Sequence, residues 1–150
     1  MRRIICLILS VLVLSACNSY TLQDAKNNGD IIVGHLGPMN FEKIDSFITD
    51  FEKQRASKLR ITSYSVEGDP ILSDLYYDGK QINYTFDNSR DKHGGNQKGK
   101  DKTLCSKIEK RSVTREDSTK GFEYNLTDCK EIIGFHSPDK DEIYLMFKAQ

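Results

Sequence analysis

The run Tyr77-Asp78-Gly79-Lys80, followed by Ile82, Tyr84 and Phe86 at alternate positions, constrains the fold more than any other feature. Asp-Gly favours a tight turn with positive φ, and apolar residues two apart all point to one face of a strand. Residues 71–77 and 81–86 therefore predict a hairpin with one buried face. The same signals recur. Residues 59–66 are rich in β-branched and aromatic types and end in the turn Glu67-Gly68-Asp69-Pro70. Phe122, Tyr124 and Leu126 alternate, as do Ile143, Leu145 and Phe147, so residues 103–110, 121–128 and 142–148 predict three more strands. A short strand is expected at 31–34, a turn at Gly37-Pro38, and a long exposed loop over 87–101, which holds Gly94, Gly95 and Gly99.

One stretch follows a different period. Phe41, Ile44, Phe47, Ile48 and Phe51 recur at helical spacing, with Asn40 expected as N-cap and Glu42 near the positive helix end. The polar face is acidic, whereas membrane-surface helices favour Lys and Arg, so the helix is expected to pack on a core. The expected fold is α+β: one amphipathic helix on an antiparallel sheet of about six strands, with an element order like that of cystatins.

The beginning of the chain is built otherwise. Met1-Arg2-Arg3 is a short positive region, and residues 4–14 form an apolar run broken only by Ser10. As a helix that run is about 16 Å long, too short for a ~30 Å hydrocarbon core. It has the pattern of a cleaved secretory signal. The run closes in Leu14-Ser15-Ala16-Cys17, which resembles the lipobox of bacterial lipoproteins. The resemblance implies diacylglycerol on the Cys17 thiol, cleavage before it, and anchoring at the extracytoplasmic face of the cell membrane. Three segments are then expected: a signal peptide over 1–16, a lipidated polar tether over 17–28, and a single domain over 29–150.

Cys6 would leave with the signal, so Cys105 and Cys129 remain as a pair outside the cytoplasm. A disulfide is the natural expectation in an oxidising compartment, with two buried thiols as the alternative. Zinc or Cys–His chemistry with His93 or His136 is disfavoured, because no close ligand spacing occurs. His35 shares no motif with either. Asp87-Asn88-Ser89-Arg90-Asp91 resembles the start of a calcium loop, but Lys92 and Lys98 stand where a Gly and a bidentate Glu are needed. No metal and no cofactor is expected. Glu67, Asp69, Asp74 and Asp87 offer carboxylates for acid–base chemistry, but among 22 acidic residues such a choice has little force.

The 22 basic and 22 acidic residues cancel, which argues against a nucleic-acid partner. The segment 90–115, bounded by Arg90 and Arg115, is an exception, with nine basic and three acidic residues. It suits contact with an envelope protein or anionic wall polymer, or is simply a solvated loop. Glu67-Gly68-Asp69-Pro70-Ile71, Tyr77-Asp78-Gly79-Lys80, Tyr84-Thr85-Phe86-Asp87-Asn88-Ser89, Gly99-Lys100, Cys105 and Cys129 together resemble an uncharacterised domain-of-unknown-function (DUF) family. Its members are small lipoproteins of low-GC Gram-positive bacteria, and the resemblance spans about residues 29–148. It implies a Gram-positive surface and a bridged cysteine pair, and it supplies no activity. The functional expectation is a membrane-anchored, non-enzymatic binding or interaction lipoprotein of the cell envelope. The alternatives are an inhibitor- or stress-type protein acting on an extracellular enzyme, or a small carboxylate-based envelope hydrolase.

Overall fold

The computed structural model describes residues 20–34, 39–95, 98–136 and 140–150. The signal segment, Cys6, Cys17, His35 and Gly37-Pro38 lie outside the described residues. The elements run α1 (Leu22–Asn28), β1 (Ile31–Val33), α2 (Glu42–Glu52), β2 (Ser57–Tyr64), β3 (Pro70–Tyr77), β4 (Ile82–Asp87), β5 (Lys100–Thr114), β6 (Lys120–Cys129) and β7 (Glu142–Ala149).

All seven strands form one sheet in sequence order. β1 runs parallel to β2, with Ile31 opposite Ile61, and every other pair is antiparallel. This corrects the expected α+β fold. The molecule is mostly β, with a mixed seven-stranded sheet and two short helices, and it gives no support to a cystatin-like arrangement. The reason lies at the beginning of the domain. α2 is the crossover that joins two parallel neighbours, so β1 becomes part of the same sheet.

The sheet curls around α2. Seven strands spaced at ~4.8 Å would spread nearly 30 Å if flat, whereas an 11-residue helix is about 16 Å long. Yet Phe51 stacks on Tyr77 of β3, with ring centroids 4.8 Å apart. At the other end of the helix Asp45 accepts from Lys110 of β5 (2.7 Å), Lys148 of β7 (2.9 Å) and the Tyr124 hydroxyl of β6 (3.2 Å). Ile44 and Phe47 are buried against Leu59, Ile61, Leu75, Tyr84, Leu126 and Met146, as the helical period predicts. Each such apolar side chain contributes about 2 kcal/mol on burial. Tyr84 shares a hydrogen bond with Ser73 (3.0 Å), and burial pushes its pKa up to about 12.

The expected cap fails for a local reason. Asn40 has φ 58°, and its amide donates to the Asp30 carbonyl (2.8 Å). Phe41 occupies the cap position without a side-chain bond. The Asp78-Gly79 hairpin is present. Its loop runs over residues 78–81, with Gly79 at φ 96° and Asp78 accepting from the Lys80 and Gln81 amides (2.8 and 2.9 Å).

Cys105 and Cys129 face each other across β5 and β6 and are joined by a disulfide. β5 extends well beyond the expected strand, to 15 residues. Much of the basic segment is therefore strand rather than loop.

Candidate functional site

Alternation along β1 and β2 places Ile31 and Ile61 on the α2 side and the facing pair Ile32 and Thr62 on the other. On that outer side α1 folds back over residues expected to be tether. Thr21 caps it, since its side chain accepts from the Asp24 amide (3.2 Å) while Asp24 accepts from the Thr21 amide (2.8 Å). Gly29 ends it at φ 68°, where a side chain would be strained. The ends of α1 are then tied together. Asp30, 4% exposed, accepts from the Tyr20 hydroxyl (2.5 Å) and from the buried Thr62 hydroxyl (2.7 Å). The Asn28 amide donates to the Tyr20 oxygen (2.9 Å), and the Arg60 guanidinium lies 5.5 Å from the Tyr20 ring centre.

These contacts build one wall of an open, mainly apolar groove of about 410 Å³. Tyr20, Leu22, Ile32, Val33, Tyr64, Val66 and Pro70 supply the side chains that define it. Val66, on the β2–β3 turn, is 90% exposed. The Tyr64 hydroxyl is shielded from solvent and has no hydrogen-bond partner. Burial pushes its pKa up, and the nearby carboxylates of Asp30 and Asp24 add to the shift. A second depression of about 700 Å³ lies over the outer face of β2–β4. It is dominated by Arg60, whose guanidinium grips both oxygens of Asp74 (2.5 and 2.9 Å) and is held protonated chiefly by that contact.

The carboxylates singled out in the sequence have separate fates. Asp74 is held by Arg60. Asp87 is buried and accepts from the Ser89 amide (3.1 Å), the Ser89 hydroxyl (2.6 Å) and Arg90 (2.9 Å). Burial works against its charged form, but these donors outweigh it and lower its pKa. Asp69 accepts from the Lys92 amide (2.8 Å) and so ties the β2–β3 turn to the β4–β5 loop. That tie brings Glu67, Asp91 and His93 together, with donor atoms within 4.8 Å of one another. Two carboxylates and an imidazole can hold a divalent ion, but Glu67 and His93 are exposed. Sequence spacing did not reveal this trio, because its members come from two loops joined only in the fold.

Asp87-Asn88-Ser89-Arg90-Asp91 turns inward on itself rather than forming a ligand ring. Asp87 binds Ser89, Asn88 accepts from the Gly99 amide (2.8 Å), and Asp91 accepts from the His93 amide (3.0 Å). The disulfide removes Cys105 and Cys129 as metal ligands or nucleophiles. His136 has Nδ1 3.0 Å from the Gly134 carbonyl.

The basic segment is largely neutralised by its neighbours. Arg90 and Lys100 pair with Asp87, Lys92 with Asp69, Lys107 with Asp128, Lys110 with Asp45, and Arg111 with Glu109 and Glu142. Arg115 lies 3.8 Å from the Phe147 ring centre.

Residues 1–18 match the prokaryotic membrane lipoprotein lipid attachment site, so the chain is a membrane-anchored lipoprotein. Residues 28–125 match the domain of unknown function DUF4362, and the chain belongs to that family. No curated protein and no solved structure matches it. Among the described residues no helix is long and apolar enough to cross a membrane.

Proposed function

We propose that the chain is a lipoprotein of the extracytoplasmic membrane face, held by diacylglycerol on Cys17 after removal of residues 1–16, and that its domain is a non-enzymatic binding module of the cell envelope. The lipid attachment match over residues 1–18 carries this reading, since its final small-small-Cys run ends on Cys17. Two acyl chains give stable anchoring where one gives only marginal binding. The Gram-positive envelope implied by the family resemblance belongs to the same reading.

The geometry of the domain favours binding over hydrolysis. Asp74 and Asp87 are committed to arginines, so they do not form an acid–base pair. The inhibitor alternative rested on a cystatin-like element order, and the strand topology removes that support. A binding partner on the 90–115 segment, whether envelope protein or wall polymer, would have to displace existing ion pairs. Lys98 and Lys102 are the exposed cations there that no pairing contact described above engages.

Membrane fractionation of cells treated with globomycin, set beside a Cys17→Ser variant, tests the anchor. Globomycin should leave a larger, uncleaved precursor in the membrane, and Cys17→Ser should lose the lipid and the mature size. Unchanged processing in both would overturn the reading. Labelling intact cells with an impermeant amine reagent tests the face, and a chain that stays unlabelled until lysis would contradict it.

A further inference from the structure

We propose that the apolar groove between α1, β1 and the β2–β3 turn docks on the phospholipid surface beside the anchor, so that the domain lies on the bilayer in one orientation. This rests on the Cys17 lipid reading.

Tyr20 is three peptide links from Cys17, and at ~3.8 Å per link their Cα atoms are at most about 11 Å apart. The headgroup layer on each side of a bilayer is itself several ångströms thick. An acylated Cys17 thus holds Tyr20 at the edge of the lipid, whatever path the intervening residues take.

Tyr20 is also built into the domain. The Asp30 and Asn28 bonds hold its hydroxyl, and the capping box on Thr21 fixes the helix that follows. Its ring forms part of the groove wall. An anchor beside Tyr20 brings the groove face, with Leu22, Val66 and Pro70 around it, within reach of the membrane.

The chemistry of that face suits the water–lipid boundary. Among the described residues, Val66 is the most exposed of the large apolar side chains, at 90%. Tyr20 and Tyr64 are amphipathic rings of the kind enriched at membrane interfaces. Interfacial contacts of this type enter ~5–10 Å below the headgroups, within reach of a valine at a turn. Strand order puts the β5–β6 turn, with Glu116, at the opposite end of the strands from Val66.

The test uses the lipidated full-length protein in phosphatidylcholine vesicles containing a minority of phosphatidylglycerol. An environment-sensitive fluorophore is attached at V66C or, as a control, at E116C. The vesicles are first floated on a density gradient. Protein that fails to float overturns the anchor reading, and the docking proposal with it. For protein that floats, the V66C label should be quenched severalfold less by aqueous iodide than the E116C label. It should also be quenched by nitroxides on the lipid acyl chains, which leave E116C unaffected. A V66C label as open to iodide as E116C overturns docking while leaving the anchor intact. Protection from iodide without acyl-chain quenching also overturns it, since a second copy of the chain would then cover the groove.

Discussion

The two ends of the sheet are held by different means. At the β5–β6 end, neighbouring strands pair over nearly their whole length, and a disulfide closes a sequence separation of 24. At the other end β1 contributes only three residues, in parallel, with no covalent restraint. That end is fixed by side chains distant in sequence: Asp30 to Thr62, Tyr20 to Asp30, and Asn40 to the Asp30 carbonyl. A short parallel edge has few ladder bonds of its own, so a buried carboxylate with two hydroxyl donors does what the disulfide does at the far end. Asp45 couples the two ends, since it extends from α2 to β5, β6 and β7.

The largest expected effect breaks the covalent end. Replacing Cys105 and Cys129 together by Ser should lower unfolding stability by about 3.5 kcal/mol from loop-closure entropy alone. Urea unfolding measures the loss, and hydrogen exchange should show β5 and β6 opening before β1 and β2. Asp30→Ala should act at the other end, costing about 3 kcal/mol because it strands the buried Thr62 hydroxyl and frees Tyr20. Exchange should then rise first in α1 and β1, the reverse order. If both variants loosen the same strands, the contrast between the ends is wrong.

Gly121→Ala should be intermediate, about 2 kcal/mol. A Cβ there would run into the Lys148 carbonyl oxygen and the Phe147 ring, and the backbone of β7 cannot easily yield. Thermal unfolding reads this directly. The smallest effect belongs to the coupling residue. Burial opposes the charge of Asp45, but bonds from Lys110 and Lys148 outweigh it, so its pKa is lowered from 3.8. A depressed carboxyl contributes stability above its unfolded pKa and loses it as pH falls through the folded value. Asp45→Asn should therefore cost up to ~1 kcal/mol at neutral pH, since the group is partly exposed and screened. The gap to the parent should close below pH 3.8, measured by urea midpoints across pH.

The same contrast explains what the sequence made legible. The six strands from β2 to β7 show in alternation and turn residues, and α2 in its repeat of Phe and Ile, because each depends on local periodicity. β1 shows only as a short apolar run, and its parallel pairing is a non-local choice that no run of three residues can declare. α1 buries only Ala25 completely, so it has almost no apolar period. Its signals were Thr21 with Asp24, and Gly29, a bracket of caps around a stretch that otherwise reads as polar tether. The end of β5 beyond residue 110 was not legible because Arg111 and Arg115 read as loop charge, whereas each has a partner across the sheet. The cysteine pair was legible from compartment and count. The groove was not, since it depends on α1 lying over β1 and on Tyr20 being held by Asp30.

Membrane attachment and docking both depend on what Cys17 carries. Mass spectrometry of the N-terminal peptide from the purified membrane-bound protein tests this most directly. A mature chain that begins at Cys17 and carries the mass of a diacylglyceryl group is the predicted result. A chain that retains Met1, or begins at Cys17 with an unmodified thiol, would contradict it.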